Sequence, residues 1–201
     1  MKSTRQDVAL GVAGVVEHAA TVHGERQVFT ARGPGNIFQV TYGELAVRAA
    51  RLAHALREVG VCGDERVATL QWSNQEHLDS YAAVPSMGAV LHTLNLRLPP
   101  QQLAWIANDA DDRVVLVDDT VLGVLAAALP MMASVHTVLV AGEGDLSALD
   151  GCGKTVLRYD ELVAGQPETF DWPEVDERSA AAMCYTSGTT GLAKGVMLSH
   201  A

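Results

Sequence analysis

Val114-Val115-Leu116-Val117-Asp118-Asp119, then a helical pattern from Val121 to Leu129, then Thr137-Val138-Leu139-Val140, is the stretch that decides the fold. Four consecutive apolar residues leave no face for water, so a strand at Val114 to Val117 is covered on both sides. The segment from Val121 to Leu129 then serves as the crossover to the next strand. Working back toward the amino terminus, the same alternation repeats. Pro99-Pro100 opens a helix with Leu103, Ile106, Ala107 and Ala110 on one face. Before it come the short apolar run Ala89-Val90-Leu91, a helix opened by Ser73 with Glu76 and kinked or ended by Pro85, and a strand from Arg66 to Gln71. Repeated strand–helix units predict an α/β fold: a doubly wound, mostly parallel sheet with helices on both faces. No internal repeat is present.

Further out, Thr41 and Glu44 form a capping box at the start of a helix striped with Leu45, Ala49, Leu52, Leu56 and Val59 and stopped by Gly60. Arg48, Arg51 and Arg57 fall off that stripe and read as a solvated face. Val28-Phe29-Thr30 and Ile37 to Thr41 read as a hairpin turned at Gly33-Pro34-Gly35, preceded by a helix from Val8 to Val22. On the carboxyl side, Gly142 to Gly153 reads as a surface loop. Pro167 to Arg178 is acidic and contains two prolines, which predicts an exposed connection and a subdomain boundary. The expected division is residues 1–178 as one α/β subdomain and 179–201 as the start of the next.

Bulk properties exclude several classes. The 201 residues are 48% hydrophobic and 19% charged, which is globular and not disordered. A formal net charge of -10 without any basic run argues against nucleic acid. Three widely spaced cysteines, Cys62, Cys152 and Cys184, form neither a disulfide framework nor a zinc pattern. No apolar run is long enough for a transmembrane helix. The residues after Met1 read as an amphipathic helix and not as a signal sequence, so the expected location is the cytoplasm.

The chemistry concentrates after the strand Ala180-Ala181-Ala182-Met183-Cys184-Tyr185. There the chain reads Thr186-Ser187-Gly188-Thr189-Thr190-Gly191-Leu192-Ala193-Lys194-Gly195-Val196. Glycines let the backbone approach a ligand closely. Thr186, Ser187, Thr189 and Thr190 add hydroxyl donors, successive N–H groups form an anion-binding concavity, and Lys194 contributes one mobile cation. Many donors with modest positive charge suit a polyphosphate. A flexible linker of the same composition would not run from a strand straight into Val196-Met197-Leu198. The segment is not a Walker A loop, because Ala193 precedes Lys194 and Gly195 follows it. Asp118, after its apolar strand, mimics a Walker B aspartate but lies upstream of the loop, so Asp118 and Asp119 are expected to cap the next helix.

Tyr185 to Val196 resembles the phosphate-loop signature of the adenylate-forming superfamily: acyl-CoA synthetases, adenylation domains of peptide synthetases, and luciferases. Ala193 departs from it, proline being usual there. Thr41-Tyr42-Gly43-Glu44-Leu45 and Gly60 to Gln71 extend the resemblance over nearly the whole chain. Gly88 to Leu98 is similar to the medium- and long-chain fatty acyl-CoA ligase branch in particular. Asn95 and Arg97 within it read as structural.

The resemblance implies an incomplete amino-terminal portion of the large domain of an adenylate-forming enzyme. It also implies a two-step reaction, in which a carboxylic acid reacts with ATP to give acyl-adenylate and pyrophosphate and the acyl group then passes to CoA. Thr186, Ser187, Gly188, Thr189, Thr190, Gly191 and Lys194 would hold the outer phosphates of ATP, with Thr186 also a contact for Mg2+. The main catalytic residues are expected beyond Ala201, so the 201-residue chain is not expected to turn over alone. Alternatives are an enzyme that loads a carrier protein, or a non-catalytic nucleotide-binding or structural module; homodimerisation is open. The seven histidines show no metal spacing and read as surface or packing residues, with His200 the one worth following because of its nearness to the loop.

Overall fold

A computed structural model describes residues 8–186 and 193–201 of the chain. In chain order the elements are α1 (Val12–His23), the hairpin strands β1 (Gln27–Ala31) and β2 (Ile37–Thr41), α2 (Tyr42–Glu58), β3 (Arg66–Leu70), α3 (Gln75–Ser86), β4 (Val90–Thr93), α4 (Pro100–Asp109) and β5 (Asp112–Asp118). There follow α5 (Leu122–Ala128), β6 (Thr137–Ala141), β7 (Thr155–Arg158), α6 (Tyr159–Val163), β8 (Ala180–Thr186) and β9 (Lys194–Ser199). One sheet runs β7-β6-β5-β3-β4-β8-β9, parallel throughout except for the β8–β9 pair; β1 and β2 form a separate antiparallel hairpin.

Alternation along the central strands builds two cores. Ala68, Leu70, Val115, Val117, Val138 and Val140 point to one face, where α4 and α5 pack with Leu103, Ile106 and Leu125. Val67, Leu91, Val114, Leu116 and Leu139 point to the other, covered by α2 and α3 through Leu52, Leu56 and Val84. Period-two side chains on a sheet buried from both sides produce the continuous apolar runs seen in the sequence.

At α2 the capping box forms as expected: Glu44 N–H donates to Thr41 Oγ1 at 3.1 Å and Thr41 N–H to Glu44 Oε2 at 2.7 Å. At α3 the cap is Asn74 and not Ser73; its Oδ1 accepts His77 N–H at 3.0 Å. Asn74 can serve because its extended backbone leaves its side-chain oxygen over the first turn. Pro85 sits in the last turn of α3, which ends at Ser86.

The reading of Arg48, Arg51 and Arg57 as a solvated face is corrected. Arg48 pairs with Asp79, a fully buried carboxylate on α3, at 2.6 Å. Arg57 donates to the carbonyls of Val61 and Met87, each at 2.8 Å, and Arg51 reaches Glu168 at 2.9 Å. The packing of α3 alongside α2 turns part of the charged face inward. The segment before β8 is likewise not wholly exposed: Phe170 and Trp172 pack against the α2–α3 core, with ring centroids 4.7 Å apart. β7 and α6 had no counterpart in the sequence reading. Among the described residues, no helix is long and apolar enough to cross a membrane.

Candidate functional site

β8 enters the sheet beside β4 and runs parallel to it, with Leu91, His92 and Thr93 paired to Ala182, Met183 and Cys184. Thr186 therefore leaves the carboxyl end of the sheet, where open α/β sheets bind ligands. β9 returns antiparallel, and its register places Lys194 directly across from Thr186 and Gly195 across from Tyr185. Two exposed residues, one bearing a hydroxyl and the other an ammonium group, are thus register partners at the two ends of the segment that joins the strands. Among the described residues Lys194 enters no salt bridge. Ser187, Gly188, Thr189, Thr190 and Gly191 lie outside the described residues.

The strand leading into that segment is fixed by Tyr185. Its hydroxyl donates to Asp109 Oδ2 at 2.6 Å, and its ring packs beside His92 and edge-on to Trp105, with centroids 5.3 and 6.0 Å away. Burial, and then the bond to Asp109, raise the Tyr185 hydroxyl far above its ordinary range, so it stays protonated as a donor. A side chain at Gly195 would crowd this packing: a Cβ would stand 3.2 Å from Cζ of Tyr185 and 3.0 Å from Cε of Met183.

A cleft of about 550 Å³ opens at the carboxyl ends of β3, β5 and β6, lined by Trp72, Asn74, Asp118 and Asp119 among others. The two aspartates do not cap a helix with their side chains. Asp118 instead accepts Trp72 N–H at 2.7 Å, Asn74 Nδ2 at 2.9 Å and Gln71 Nε2 at 3.2 Å; Asp119 accepts Gly144 N–H at 2.8 Å. They tie together the loops after β3 and β6, a role set by strands that become neighbours only in the sheet. A Cβ on Gly142, whose φ is +104°, would collide with Asp119.

Asn95 is exposed, and its Oδ1 accepts Arg97 N–H at 3.0 Å in a tight turn. His200 Nδ1 accepts Val12 N–H at 3.3 Å, which joins the end of β9 to the start of α1. Among the described residues no group of three or more His, Cys, Asp or Glu side chains could hold a metal ion.

The fold and site define a doubly wound α/β protein in which a glycine- and hydroxyl-rich sequence follows the carboxyl end of β8. Residues 16–201 match the AMP-binding enzyme family, and the chain belongs to it. It is similar to the 3-methylmercaptopropionyl-CoA ligase of Ruegeria pomeroyi, 40% identical over 94% of this chain and 35% of that protein. It is also similar to the long-chain-fatty-acid–CoA ligase of Thermus thermophilus, 40% identical over 98% of this chain and 35% of that one. The chain thus spans about a third of the length of these relatives. In fold it is similar to the anthranilate CoA ligase AuaEII, solved with anthranoyl-AMP: TM-score 0.81 and 22% identity, over 100% of this chain and 36% of that one.

Proposed function

We propose that these residues supply the nucleotide-phosphate loop of an ATP-dependent carboxylic acid–CoA ligase whose acid is a medium- or long-chain fatty acid. The observation that carries the reading is the register pair Thr186–Lys194 at the carboxyl end of β8, bracketing a run of glycines and hydroxyls. In the first step a carboxylate oxygen attacks the α-phosphorus of ATP, the bond to the bridging oxygen breaks, and pyrophosphate leaves. In the second, the CoA thiol adds to the acyl carbon, loses its proton, and AMP departs.

The loop's contribution is to hold the β- and γ-phosphates and stabilise the charge that builds on the leaving pyrophosphate. Lys194 supplies a point charge, and Thr186, Ser187, Thr189 and Thr190 supply donors. Magnesium would neutralise phosphate charge. Thr186 would be its contact in this chain. A subdomain join at 178/179 is part of the proposal: the chain has no helix or strand from 167 to 179, although β8 beyond it completes the same sheet by pairing with β4. The cytoplasm is the proposed location, and the three free cysteines support it.

Calorimetry with ATP and Mg2+ tests the loop. Lys194→Ala is expected to weaken binding by about tenfold, as loss of one charge-assisted contact should. Equal affinity in wild type and variant would remove Lys194 from the site. For the ligase reading, the test is acid-dependent exchange of labelled pyrophosphate into ATP by the protein that carries these residues. No exchange with any of a panel of medium- and long-chain acids refutes the substrate class. The 201-residue chain alone is not expected to turn over, and product analysis with CoA against a carrier protein identifies the acceptor.

A further inference from the structure

His92 on β4 is fully buried, and so is its partner Asp112 at the start of β5. Nδ1 of His92 lies 2.9 Å from each carboxylate oxygen of Asp112, while Nε2 is buried with no hydrogen-bond partner among the described residues. Nδ1–H of the ring donates to the carboxylate. An apolar pair of similar volume would pack at least as well as a buried ionisable one, so stability alone does not account for the dyad.

What the dyad does is aim a ring. Asp112 fixes the His92 imidazole, which lies against Tyr185 with centroids 5.3 Å apart and planes at 45°. Trp105 packs edge-on to Tyr185, and Asp109 takes its hydroxyl. The tyrosine is thus held at three points, one residue before the chain leaves β8 at Thr186.

We propose that His92, oriented by Asp112, is a positioning residue for the phosphate loop: its ring fixes Tyr185 and so the direction in which the backbone exits at Thr186. The inference rests on the phosphate-loop reading above.

Amide hydrogen exchange and ATP·Mg2+ calorimetry on the whole chain test it. His92→Asn places an amide nitrogen near the Nδ1 position, keeping the bond to Asp112 while removing the ring. Exchange at Tyr185, Thr186 and Gly195 is expected to quicken by about two- to tenfold, the range for loss of one ring–ring contact. Exchange in β5 and β6 stays unchanged, and affinity for ATP·Mg2+ falls by a similar factor. His92→Phe with Asp112→Leu restores a ring without the dyad's charge and should recover both values. Unchanged exchange at the three amides in His92→Asn overturns the proposal, as does acceleration spread evenly over the sheet. Faster local exchange with unchanged nucleotide affinity also overturns it. A wild-type chain that binds no ATP·Mg2+ refutes the phosphate-loop reading instead, and the exchange comparison then decides the positioning role by itself.

Discussion

Replacing Asp79 with alanine removes one acceptor shared by three side chains. The carboxylate is fully buried between α2 and α3. It accepts Arg48 Nε at 2.8 Å and Nη2 at 2.6 Å, Gln75 Nε2 at 2.8 Å and the Tyr159 hydroxyl at 3.1 Å. Without it, among the described residues the Arg48 charge keeps only Glu76 at 3.7 Å and the Phe38 ring at 5.8 Å, and Tyr159, 2% exposed, has a hydroxyl with no acceptor. Removing one partner of a buried pair costs about 3–5 kcal/mol. Arg48 retains 28% exposure of its side chain, so water recovers part of its solvation and the lower end applies to the pair. Each abandoned hydrogen bond to Tyr159 and Gln75 adds roughly 1 kcal/mol, less than additively because all share one site. A loss of about 3–5 kcal/mol lowers the melting temperature of a chain this size by roughly 6–20 °C. Thermal and urea melts followed by circular dichroism measure it. The double variant Arg48→Met with Asp79→Leu should regain most of the loss, since apolar groups satisfy one another there. A single variant melting within about 2 °C of wild type would refute the reasoning, and so would a double variant no better than the single.

Gly195→Ala should destabilise the chain by roughly 1–2 kcal/mol, because Met183 can swing aside while Tyr185, tied to Asp109, cannot. A urea midpoint equal to wild type would contradict that. Asp118→Ala frees Trp72 N–H and the amides of Gln71 and Asn74 and should cost about 1–3 kcal/mol, with a shift in Trp72 emission. Unchanged stability and emission would show that the loops hold without it. His77 donates from Nδ1 to the Trp72 carbonyl and takes a hydrogen bond from Thr69 at Nε2, and desolvation lowers its folded pKa. A depressed histidine pKa means the unfolded chain binds the proton first. Its stabilising effect is therefore present above about pH 6.5 and is lost as pH falls from there through the folded value. Urea midpoints of His77→Gln should fall less steeply than those of wild type over that window, and parallel curves would count against the assignment.

The α/β class and most strands and helices were legible because they rest on short-range pattern. Val114 to Val117 cannot face water, and Thr41 with Glu44 fixes a helix start within four residues. β7 and α6 were missed because Thr155 to Arg158 is short, half-exposed and follows a glycine-rich loop. The chemistry of the candidate site was also readable: hydroxyls, glycines and one lysine in a single run are local facts. Their placement was not.

That Thr186 exits beside β4, with Lys194 paired across from it, depends on β8 crossing from beyond β7 at one edge of the sheet to the far side of β4. The same holds for His92 with Asp112, Arg48 with Asp79 and Asp118 with Trp72. Each pair joins residues 20 to 46 positions apart, and no periodicity links them. Local propensity and hydrophobic repeat act over a few residues and so can be read along the chain. The partner of a buried charge is chosen by which elements pack together, and only the folded sheet decides that.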